Sequence, residues 1–433
     1  MTKDILVPAL ARVEGEGALY IRTKDGQVDD IELNIYEPPR FFEGFLLGRH
    51  FQEVPDITAR ICGICPVAYQ MSGAQALEQA YGIKITPEIR ALRRLLYCAE
   101  YVESHALHIY MLQMPDLLGK ESVIEMAEIA PDVVKKALRL KKIGNNLLKA
   151  IGGRSVHPVN TKVGGCYRWP DVENMKGLLD DFKWALQASL DTVQFAATLD
   201  YPDFEVDYEF VALTRPDEYA IYDGEILSST GRKVTVDEFE TVYLESHVAH
   251  STALHSHTVD GNPYFVGPLA RLNLNFDKLR PVARKAAEDI GLELPLKNPY
   301  KNLIARAIEL VEVCDVAIEL LEAYDPKGPP YVEVELKDGE GSGVSEAPRG
   351  ILYHRYKAGA DGLIKFAKIT PPTAQNYPRI EADLWKLAPE VISLPHKEAS
   401  LACEHLIRSY DPCISCSTHF LKLTIEEERT VEE

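Results

Sequence analysis

Two pairs of cysteines with the same spacing lie at opposite ends of this 433-residue chain, Cys62 with Cys65 and Cys413 with Cys416. Thiolates at positions i and i+3 can direct both sulfurs at one ion, and sulfur ligands suit zinc, nickel and iron. Several hundred residues separate the pairs, which excludes a local zinc-ribbon loop. The pairs predict a four-sulfur metal site that forms when the chain ends meet, and spacing alone slightly favours a structural metal over a catalytic one.

The residues beside the cysteines favour a catalytic metal instead. Arg60 stands just before the first pair, Asp411 leads into the second pair, and His419 follows Cys416 by three positions. An arginine next to thiolates favours their charged form, and an imidazole one helical turn beyond a thiolate can bind a second, harder cation. A lone histidine is more often a packed polar group, so His419 carries weight only as part of this set.

Composition and charge narrow the class of protein. The formal net charge is −19, which disfavours nucleic acid and anionic membrane as partners. The first residues lack a basic segment followed by an apolar one, and no apolar run of about 18 residues occurs, so we expect no export signal, no membrane span and a cytoplasmic location. In such a reducing compartment, paired cysteines more often bind metal than form disulfides.

Hydrophobic periodicity predicts the elements that must position these residues. Apolar and polar residues alternate from Gly17 to Tyr36 around a tight turn, which is typical of a β-hairpin. In later segments, apolar residues recur every three or four positions, which predicts helices, and further on they alternate with charged residues, which predicts strands. One long helix is predicted to begin at Pro87, and further helices are predicted over Pro131–Ile151, Asp171–Leu199 and Asn298–Tyr324. The predicted strands lie within Glu218–Glu238 and Tyr331–Ile369. We therefore predict a mainly α fold, a multihelical core with small peripheral antiparallel sheets.

The cysteine pairs also predict the domain organisation. Since both chain ends must contribute sulfurs to one core, residues 1–419 are expected to form a single domain. Residues 420–433 are rich in glutamate and have only a short apolar start, which is typical of a solvated tail. No glycine-rich phosphate loop follows a strand, so a nucleotide site is not expected.

Five motifs in order along the chain resemble those of the nickel-iron hydrogenase large subunit. The motifs are Ala11–Gly15, Arg60–Cys65, Gly152–Pro158, Glu346–Gly350 and Asp411–His419. The resemblance covers nearly the whole chain. It implies the large-subunit fold and the reversible heterolytic cleavage of dihydrogen to protons and electrons.

The resemblance implies a specific role for each cysteine. All four thiolates would bind nickel, with Cys65 and Cys416 also bridging to iron and with Cys62 and Cys413 terminal on nickel. The iron in this family carries carbon monoxide and two cyanides. Soft thiolates suit both metals, whereas zinc lacks the redox chemistry that this reaction needs.

The resemblance also implies groups around the cyanides and a route for the proton. Arg349 and Thr373, with Pro372 beside it, match the positions that contact the cyanides, because anionic ligands in a dry pocket need donors. The alternative for Arg349 is a surface ion pair. Cys413 and Arg349 are rival bases for the proton, and Glu14 would take it onward. We favour the thiolate because the pKa of an arginine lies above about 12; the alternative for Glu14 is a solvated acid at a strand end.

A magnesium site is implied near the same ends of the chain. Glu43 matches the carboxylate ligand of the family, the backbone carbonyl of Ile369 matches a second ligand, and His419 would supply a nitrogen. Waters would complete an octahedron.

One position departs from the family pattern. Tyr69 stands where many relatives have a histidine, four residues after the second cysteine of the first pair. A phenol can donate a hydrogen bond to a sulfur but cannot carry positive charge near neutral pH. The redox poise and the oxygen response of the site are therefore open.

The resemblance implies partners as well. The chain has no further cysteine cluster, so a small subunit with an iron-sulfur cluster must accept the electrons. The chain resembles the cytosolic branch that reduces NAD(P) through flavin and iron-sulfur subunits; a ferredoxin-type acceptor is also open. Nickel-insertion proteins and a protease that cuts after His419, removing 420–433, would complete maturation. Two alternatives remain: a quinone-reductase or membrane-complex subunit of the same fold, and a zinc protein without catalysis.

Overall fold

The computed structural model describes residues 4–418. The proposed magnesium ligand His419 and the acidic tail at 420–433 lie outside the described residues. Helices α1 to α16 are, in chain order, Phe42–Leu46, Val54–Thr58, Pro66–Tyr81, Pro87–Leu107, Met114–Leu117, Val123–Ile129, Pro131–Gly152, Val172–Lys176, Leu179–Ala197, Phe239–Val242, Pro268–Asn275, Pro281–Asp289, Asn302–Glu322, Pro372–Val391, His396–Ser409 and Ile414–Ser417. Strands β1 to β13 are Ile5–Val7, Gly17–Lys24, Gln27–Ile35, Thr161–Lys162, Gly165–Cys166, Val211–Thr214, Glu225–Ser228, Lys233–Val234, Tyr243–Ser246, His255–Thr258, Gly339–Ala347, Gly350–Ala358 and Ile364–Thr370.

The predicted fold class is confirmed. The long helices α4, α7, α9 and α13 pack on one another, and the strands form small antiparallel sheets around them. The predicted hairpin is β2 paired with β3, with Lys24 opposite Gln27 across the two-residue turn Asp25-Gly26. Both turn residues have positive φ, as a tight hairpin with right-handed twist requires.

Two boundaries differ from the sequence prediction. The helix predicted over 171–199 is two helices, because α8 ends at Lys176, with Gly177 as its C-cap, and α9 begins at Leu179. The strand signal predicted from Tyr331 onward yields a paired strand only at Gly339, where β11 begins. Around Tyr331 the chain forms only an isolated bridge with Gly165, and the amide of Val332 donates to the carbonyl of Gly164 at 2.9 Å, so the alternation there did not extend into a longer strand.

Glycines in β11 allow an unusually close contact with helix α3. An added Cβ on any of three alternating glycines would lie 2.2 Å from a carbonyl oxygen of α3, so no larger residue fits there. The pairs are Gly339 with Ala80, Gly341 with Ala76, and Gly343 with Ser72. Since β11 runs towards the N-terminal end of α3, the turn that follows β11 comes near that end, where Cys65 lies.

Both chain ends enter one hydrophobic core. The main cluster of buried residues includes Ile5 and Val7 near the start and Ile414 near the end, together with the two cysteine pairs. A smaller cluster lies between β6 to β8 and the β11–β12 hairpin. Within residues 4–418, no helix has the length and apolar character needed to cross a bilayer.

Candidate metal centre

The four paired cysteines meet in the core. Sγ of Cys62 lies 3.7 Å from Sγ of Cys413, and Sγ of Cys65 lies 4.0 Å from Sγ of Cys416. All four are free thiols and are buried. These separations are far longer than a disulfide bond of about 2.05 Å. They match the spacing of about 3.8 Å between sulfurs around a tetrahedral ion with metal–sulfur bonds of about 2.3 Å.

The first pair is held at the start of helix α3. Cys65 precedes Pro66, which begins α3, and the amides of Ile64 and Cys65 donate to Sγ of Cys62 at 3.3 and 3.2 Å. The carboxylate of Glu100, from α4, accepts from the amides of Val67 at 2.7 Å and Ala68 at 3.3 Å. A helix N-terminus carries unpaired amides, so this buried acid anchors the turn that presents the sulfurs.

The second pair is held by the N-terminal motif and by α14. The amide of Ile414 donates to the carbonyl of Glu14 at 2.8 Å, and the amide of Cys413 donates to Oγ1 of Thr373 at 3.0 Å. Thr373 thus uses its oxygen as an acceptor, and its hydroxyl hydrogen is not needed for that contact. Pro372 is the first residue of α14 and is buried beside Thr373.

The carboxylate of Glu14 contacts the second pair directly. Sγ of Cys413 donates to Oε2 of Glu14 at 3.0 Å, and the amide of Ser415 donates to the same oxygen at 3.1 Å. Glu14 is partly buried. The sequence left open whether Glu14 is a solvated acid at a strand end; in the structure its carboxylate faces a thiol.

Arg349 is buried and does not form a surface ion pair, so that alternative is wrong. The side chain is 3% exposed; Nε donates to the carbonyl of Asp411 at 2.8 Å, and Nη2 lies 3.0 Å from its Oδ1. Burial by itself would lower the pKa of Arg349, but the charges of Asp411 and of the nearby cysteines hold it well above its usual value. Its Nη1 is buried and finds no hydrogen-bond partner within residues 4–418.

A second buried arginine holds the turn that carries Arg349. Arg349 lies in the two-residue turn between β11 and β12, and Gly350 after it has a φ of 135°, with Val266 packed against it. Arg271 is fully buried and donates to the carbonyls of Ala347 and Pro348, both at 3.0 Å. The turn is thereby fixed over the sulfurs by backbone geometry and by hydrogen bonds.

Burial dominates the electrostatics of the thiols. It raises the pKa of Cys413 well above the usual value, and the neighbouring cysteines raise it further. Four thiols packed in the core therefore do not all ionise without a cation to compensate their charge. A divalent metal provides that compensation and binds the thiolate form.

Tyr69 lies fully buried near Cys65 and Cys416. Burial raises its pKa well above the usual value, and Cys416 and Cys65 add to that shift. Its hydroxyl finds no hydrogen-bond partner among the described residues. The phenol is therefore a neutral hydrogen-bond donor. Like Nη1 of Arg349, it has no acceptor among the described residues.

Arg60 does not occupy the position that the sequence suggested. Its side chain is 43% exposed and pairs with Asp56 at 3.5 Å. The buried cation whose charge favours the thiolate form of Cys62 is Arg349. Sequence proximity to the cysteines was misleading here, because Arg60 is the exposed middle residue of the short 3₁₀ turn Ala59–Ile61, whose other two residues are buried.

The residues proposed for magnesium are partly brought together. Oε1 of Glu43 accepts from the amide of Ile369 at 2.8 Å, so the carboxylate and this segment of β13 are in contact. The third predicted ligand, His419, lies outside the described residues.

Further contributors to the site were not assigned a role from the sequence. Asp411 pairs with Arg349 and also lies 3.3 Å from Nη1 of Arg306, which is itself fully buried. Oγ of Ser415 donates to Oε2 of Glu37 at 2.9 Å. Because the amide of Ser415 donates to Glu14, Glu37 is a second acid in contact with this serine. Asp411 stands in a motif and could have been singled out; Arg306 lies in an apolar helix without a local signal.

The donor set fits a metal that carries anionic ligands of its own. Four buried sulfurs supply the ligands, and Arg349 Nη1, the Tyr69 hydroxyl and the hydroxyl hydrogen of Thr373 supply donors without an assigned acceptor. Buried donors of this kind are costly unless they are satisfied. A metal with small anionic ligands would satisfy them.

Comparison with known proteins decides the family. The profile described as nickel-dependent hydrogenase matches residues 40–135 and 217–419. The chain belongs to the nickel-dependent hydrogenase family. It is a large subunit of a nickel-iron hydrogenase, and the predicted enzyme class is confirmed. A nickel-iron centre is the cofactor that this family implies, and the cysteine cluster offers its ligands.

Similar proteins span the whole hydrogenase chain. Sulfhydrogenase 1 subunit alpha of Pyrococcus furiosus is 35% identical over 423 residues, which cover 97% of this chain and 98% of that protein. The NAD-reducing hydrogenase HoxS subunit beta of Cupriavidus necator is 30% identical, covering 97% and 96%. The crystal structure of an NAD+-reducing NiFe hydrogenase in the H2-reduced state matches with a TM-score of 0.87 at 26% identity, covering 96% of this hydrogenase and 99% of that chain. These matches do not support the zinc-protein or quinone-reductase alternatives.

Proposed function

We propose that this subunit cleaves dihydrogen reversibly and passes the electrons through a small iron-sulfur subunit to NAD(P). The observation that carries the proposal is the contact between Sγ of Cys413 and Oε2 of Glu14, at 3.0 Å, inside a four-sulfur cluster of a nickel-dependent hydrogenase. A thiol in hydrogen-bond contact with a carboxylate is a ready pair for proton transfer.

The four cysteines would hold the metals. Cys62 and Cys413 form one close sulfur pair and Cys65 and Cys416 the other, which agrees with a terminal and a bridging pair. When bound, the nickel-iron centre supplies the two-electron chemistry that splits dihydrogen. The protein buries the cluster and so keeps bulk water away from it.

Cys413 and Glu14 would carry the proton. The thiolate of Cys413 takes the proton at Sγ and passes it to Oε2 of Glu14, which the amide of Ser415 holds in place. Arg349 cannot serve as the base, since Asp411 and the cysteines hold its pKa well above the usual value. Its role is to keep a fixed positive charge over the sulfurs.

Arg349, Thr373 and Tyr69 would orient anionic ligands of the iron. Carbon monoxide and two cyanides on the iron would agree with the unassigned donors of these three side chains, and Pro372 is buried beside Thr373. Each donor without an acceptor would gain one.

A magnesium ion would lie beyond the cysteines. Glu43, the carbonyl of Ile369 and His419 are its proposed ligands, and the contact between Glu43 and Ile369 supports this placement. Hard oxygen ligands and water suit this ion. Metal analysis that finds no magnesium in the active enzyme would contradict the assignment.

The proposed electron route is supported by the arrangement of the remaining cysteines and by the similarity to NAD-reducing hydrogenases. Cys98, Cys166, Cys314 and Cys403 are the other cysteines, and each is buried as a free thiol. No cluster other than that of the paired cysteines is formed by cysteines of residues 4–418, so a partner subunit must carry the relay. NAD(P) is proposed because NAD-reducing hydrogenases match this chain throughout; such an acceptor agrees with a cytoplasmic location and with flavin-containing partner subunits.

The decisive experiment combines metal analysis, infrared spectroscopy and hydrogen uptake on the purified complex. We expect equimolar nickel, infrared bands of carbon monoxide and cyanide, and uptake with NAD or NADP. A dye serves as a general acceptor, and sulfur is tested because a 35% identical relative is a sulfhydrogenase. Cys413→Ser should lose nickel and uptake, whereas the matched control Cys403→Ser, at a buried thiol of the core, should keep both.

Two outcomes would contradict the proposal. Zinc in place of nickel, without infrared bands, would end the hydrogenase mechanism for this chain. Uptake with the dye but with neither nucleotide would leave the metal chemistry intact and reject NAD(P) as the acceptor.

Maturation by proteolysis is also proposed. Cleavage after His419 would remove residues 420–433 once nickel is inserted, and nickel-insertion proteins and a specific protease would act as transient partners. The intact mass of the active subunit tests this directly. A mass that still includes the tail would reject the cleavage.

A further inference from the structure

A second group of metal-ligating side chains lies apart from the cysteines. His250, His255 and Glu381 each place one ligand atom within 4.8 Å of the other two. His250 lies in the loop between β9 and β10, His255 begins β10, and Glu381 lies on α14. No role in the hydrogen chemistry described above uses these residues.

The carboxylate of Glu381 stands between the two imidazoles. Its Oε1 lies 2.7 Å from Nε2 of His250, and its Oε2 lies 3.7 Å from Nδ1 of His255, beyond hydrogen-bond distance. The amide of Leu33 donates to Oε1 at 3.0 Å and so fixes the carboxylate against β3. The two imidazole rings are nearly perpendicular, with centroids 5.5 Å apart.

His255 is an incompletely satisfied buried group. The residue is 2% exposed, and its Nε2 is buried without a hydrogen-bond partner among the described residues. Tyr377 stacks on the ring, with centroids 5.6 Å apart, and holds its orientation. The neutral form of an imidazole is the form that binds metal.

The other two ligands leave a route for an ion. The side chains of His250 and Glu381 are partly exposed, so an ion can enter from solvent and keep water in its remaining positions. Ligand atoms around a zinc ion with bonds of about 2.0–2.1 Å lie about 3.4 Å apart. The 2.7 Å separation of His250 from Glu381 must therefore widen, while the 3.7 Å separation of His255 from Glu381 shortens slightly. His250, in a loop, can supply that movement.

We propose that His250, His255 and Glu381 bind one divalent transition-metal ion, in addition to the four-sulfur centre. Two imidazoles with one carboxylate suit zinc, nickel, cobalt or ferrous iron, whereas magnesium and calcium prefer oxygen ligands alone. The ion joins the β9–β10 loop to α14. That loop also contacts β3 through Thr252, which donates to the carbonyl of Ile35 at 2.8 Å.

The site lies close to the second cysteine pair, although the proposal does not depend on the hydrogenase mechanism. Tyr377, which stacks on His255, also shares a hydrogen bond of 2.9 Å with the hydroxyl of Ser417, the residue after Cys416. An ion that holds His255 therefore also supports the ring that contacts the end of the cysteine motif.

Zinc binding to the purified hydrogenase complex tests the proposal. The complex is treated with a chelator, loaded with Zn²⁺, desalted and analysed for zinc. We expect one retained equivalent for the unaltered protein, and loss of that equivalent in His255→Ala and in Glu381→Gln. His257→Ala is the matched control, because His257 lies on the same strand but outside the three-residue set, and it should retain the zinc.

Further measurements separate the site from misfolding and from the cysteines. His250→Ala removes a loop ligand and should lose the zinc while retaining nickel, which shows that the fold is intact. X-ray absorption at the zinc edge should show nitrogen and oxygen neighbours near 2.0–2.1 Å and no sulfur near 2.3 Å. Zinc retained in all three ligand variants, zinc bound by sulfur, or no retained zinc in the unaltered protein would each overturn the proposal.

Discussion

Glu14 contacts both Cys413 and the residue after it, although Glu14 and Cys413 stand 399 residues apart. The thiol of Cys413 donates to Oε2 of Glu14 at 3.0 Å, and the next amide along, that of Ile414, donates to the Glu14 carbonyl at 2.8 Å. The backbone contact fixes the distance between acid and sulfur. The carboxylate is therefore part of the cysteine site and not a separate surface acid.

Replacing Glu14 by glutamine should block proton transfer and leave the metals bound. The amide keeps the shape of the side chain but cannot take up the proton from Sγ of Cys413. We expect hydrogen uptake to fall about 100-fold or more, the usual size of a general acid–base contribution. Uptake rate, hydrogen isotope exchange and nickel content are the measurements.

The matched control for that variant is Glu16→Gln, two residues along and exposed. It should retain full activity. Full turnover and unchanged isotope exchange in Glu14→Gln would reject the proposed proton route.

Asp411→Asn should destabilise the protein strongly. Asp411 is buried between Arg349 and Arg306, and the loss of its charge leaves two buried guanidinium groups without compensation. Breaking a buried ion pair costs about 3–5 kcal/mol in the free energy of unfolding. Denaturant unfolding measures the loss, and activity should fall as well because Arg349 loses its anchor.

A surface aspartate provides the comparison. Asp361 pairs with Lys365 on the surface, and Asp361→Asn should cost less than about 1 kcal/mol. Equal losses in the two variants would mean that the buried pairing does not stabilise the fold.

Glu100→Ala should weaken the first cysteine pair without touching a sulfur. Its carboxylate accepts from the amides of Val67 and Ala68 at the start of α3, and alanine leaves both without that acceptor in the core. The expected loss is about 2 kcal/mol or more in unfolding free energy, with lower nickel retention.

Two further variants calibrate that effect. Glu100→Gln keeps one carbonyl oxygen and should lose less than the alanine variant, and Glu88→Ala, at the exposed start of α4, should change nickel retention little. Nickel retention that is equal in all three variants would argue against this anchoring role.

His108→Gln should flatten the dependence of stability on pH. Burial lowers the pKa of His108 to about 3, against about 6.5 in the unfolded chain, so the unfolded state binds the extra proton between these values. The stability that comes from keeping this ring neutral is complete above about pH 6.5 and is lost as the pH falls towards 3. The native protein should lose up to about 1.4 kcal/mol per pH unit more than the variant.

Glutamine is chosen because its Nε2 can reproduce the hydrogen bond of His108 to the carbonyl of Arg408, which is 2.8 Å long. Unfolding free energies measured from pH 7 to pH 5 provide the two slopes. Parallel slopes would show that His108 does not titrate as described.

The local elements were predictable because their signals lie within a few residues. The alternation around Asp25 and Gly26 gave the hairpin, and Pro87 marked the start of α4. The break at Gly177 and the missing strand before Gly339 were not predictable, since they depend on which neighbours supply hydrogen bonds.

The chemistry of the metal site could be predicted only in part from local sequence signals. The spacing of the cysteines predicted a metal site. The sequence suggested Arg60 as the cation near the thiolates, but Arg60 is exposed and the buried arginine near the cysteines is Arg349. Both are arginines inside motifs, so residue type could not tell them apart. Burial depends on the packing of distant segments, which no local pattern records.

The amino-acid sequence by itself determined the ligand types, the spacing of each cysteine pair and the periodicity that makes the core helical. Tertiary structure alone decided that Cys413 faces Glu14, that Asp411 lies between two arginines, and that His255 comes within reach of Glu381. The physical reason is that helices and turns arise from interactions between near neighbours. A site made from residues hundreds of positions apart exists only once the core has packed.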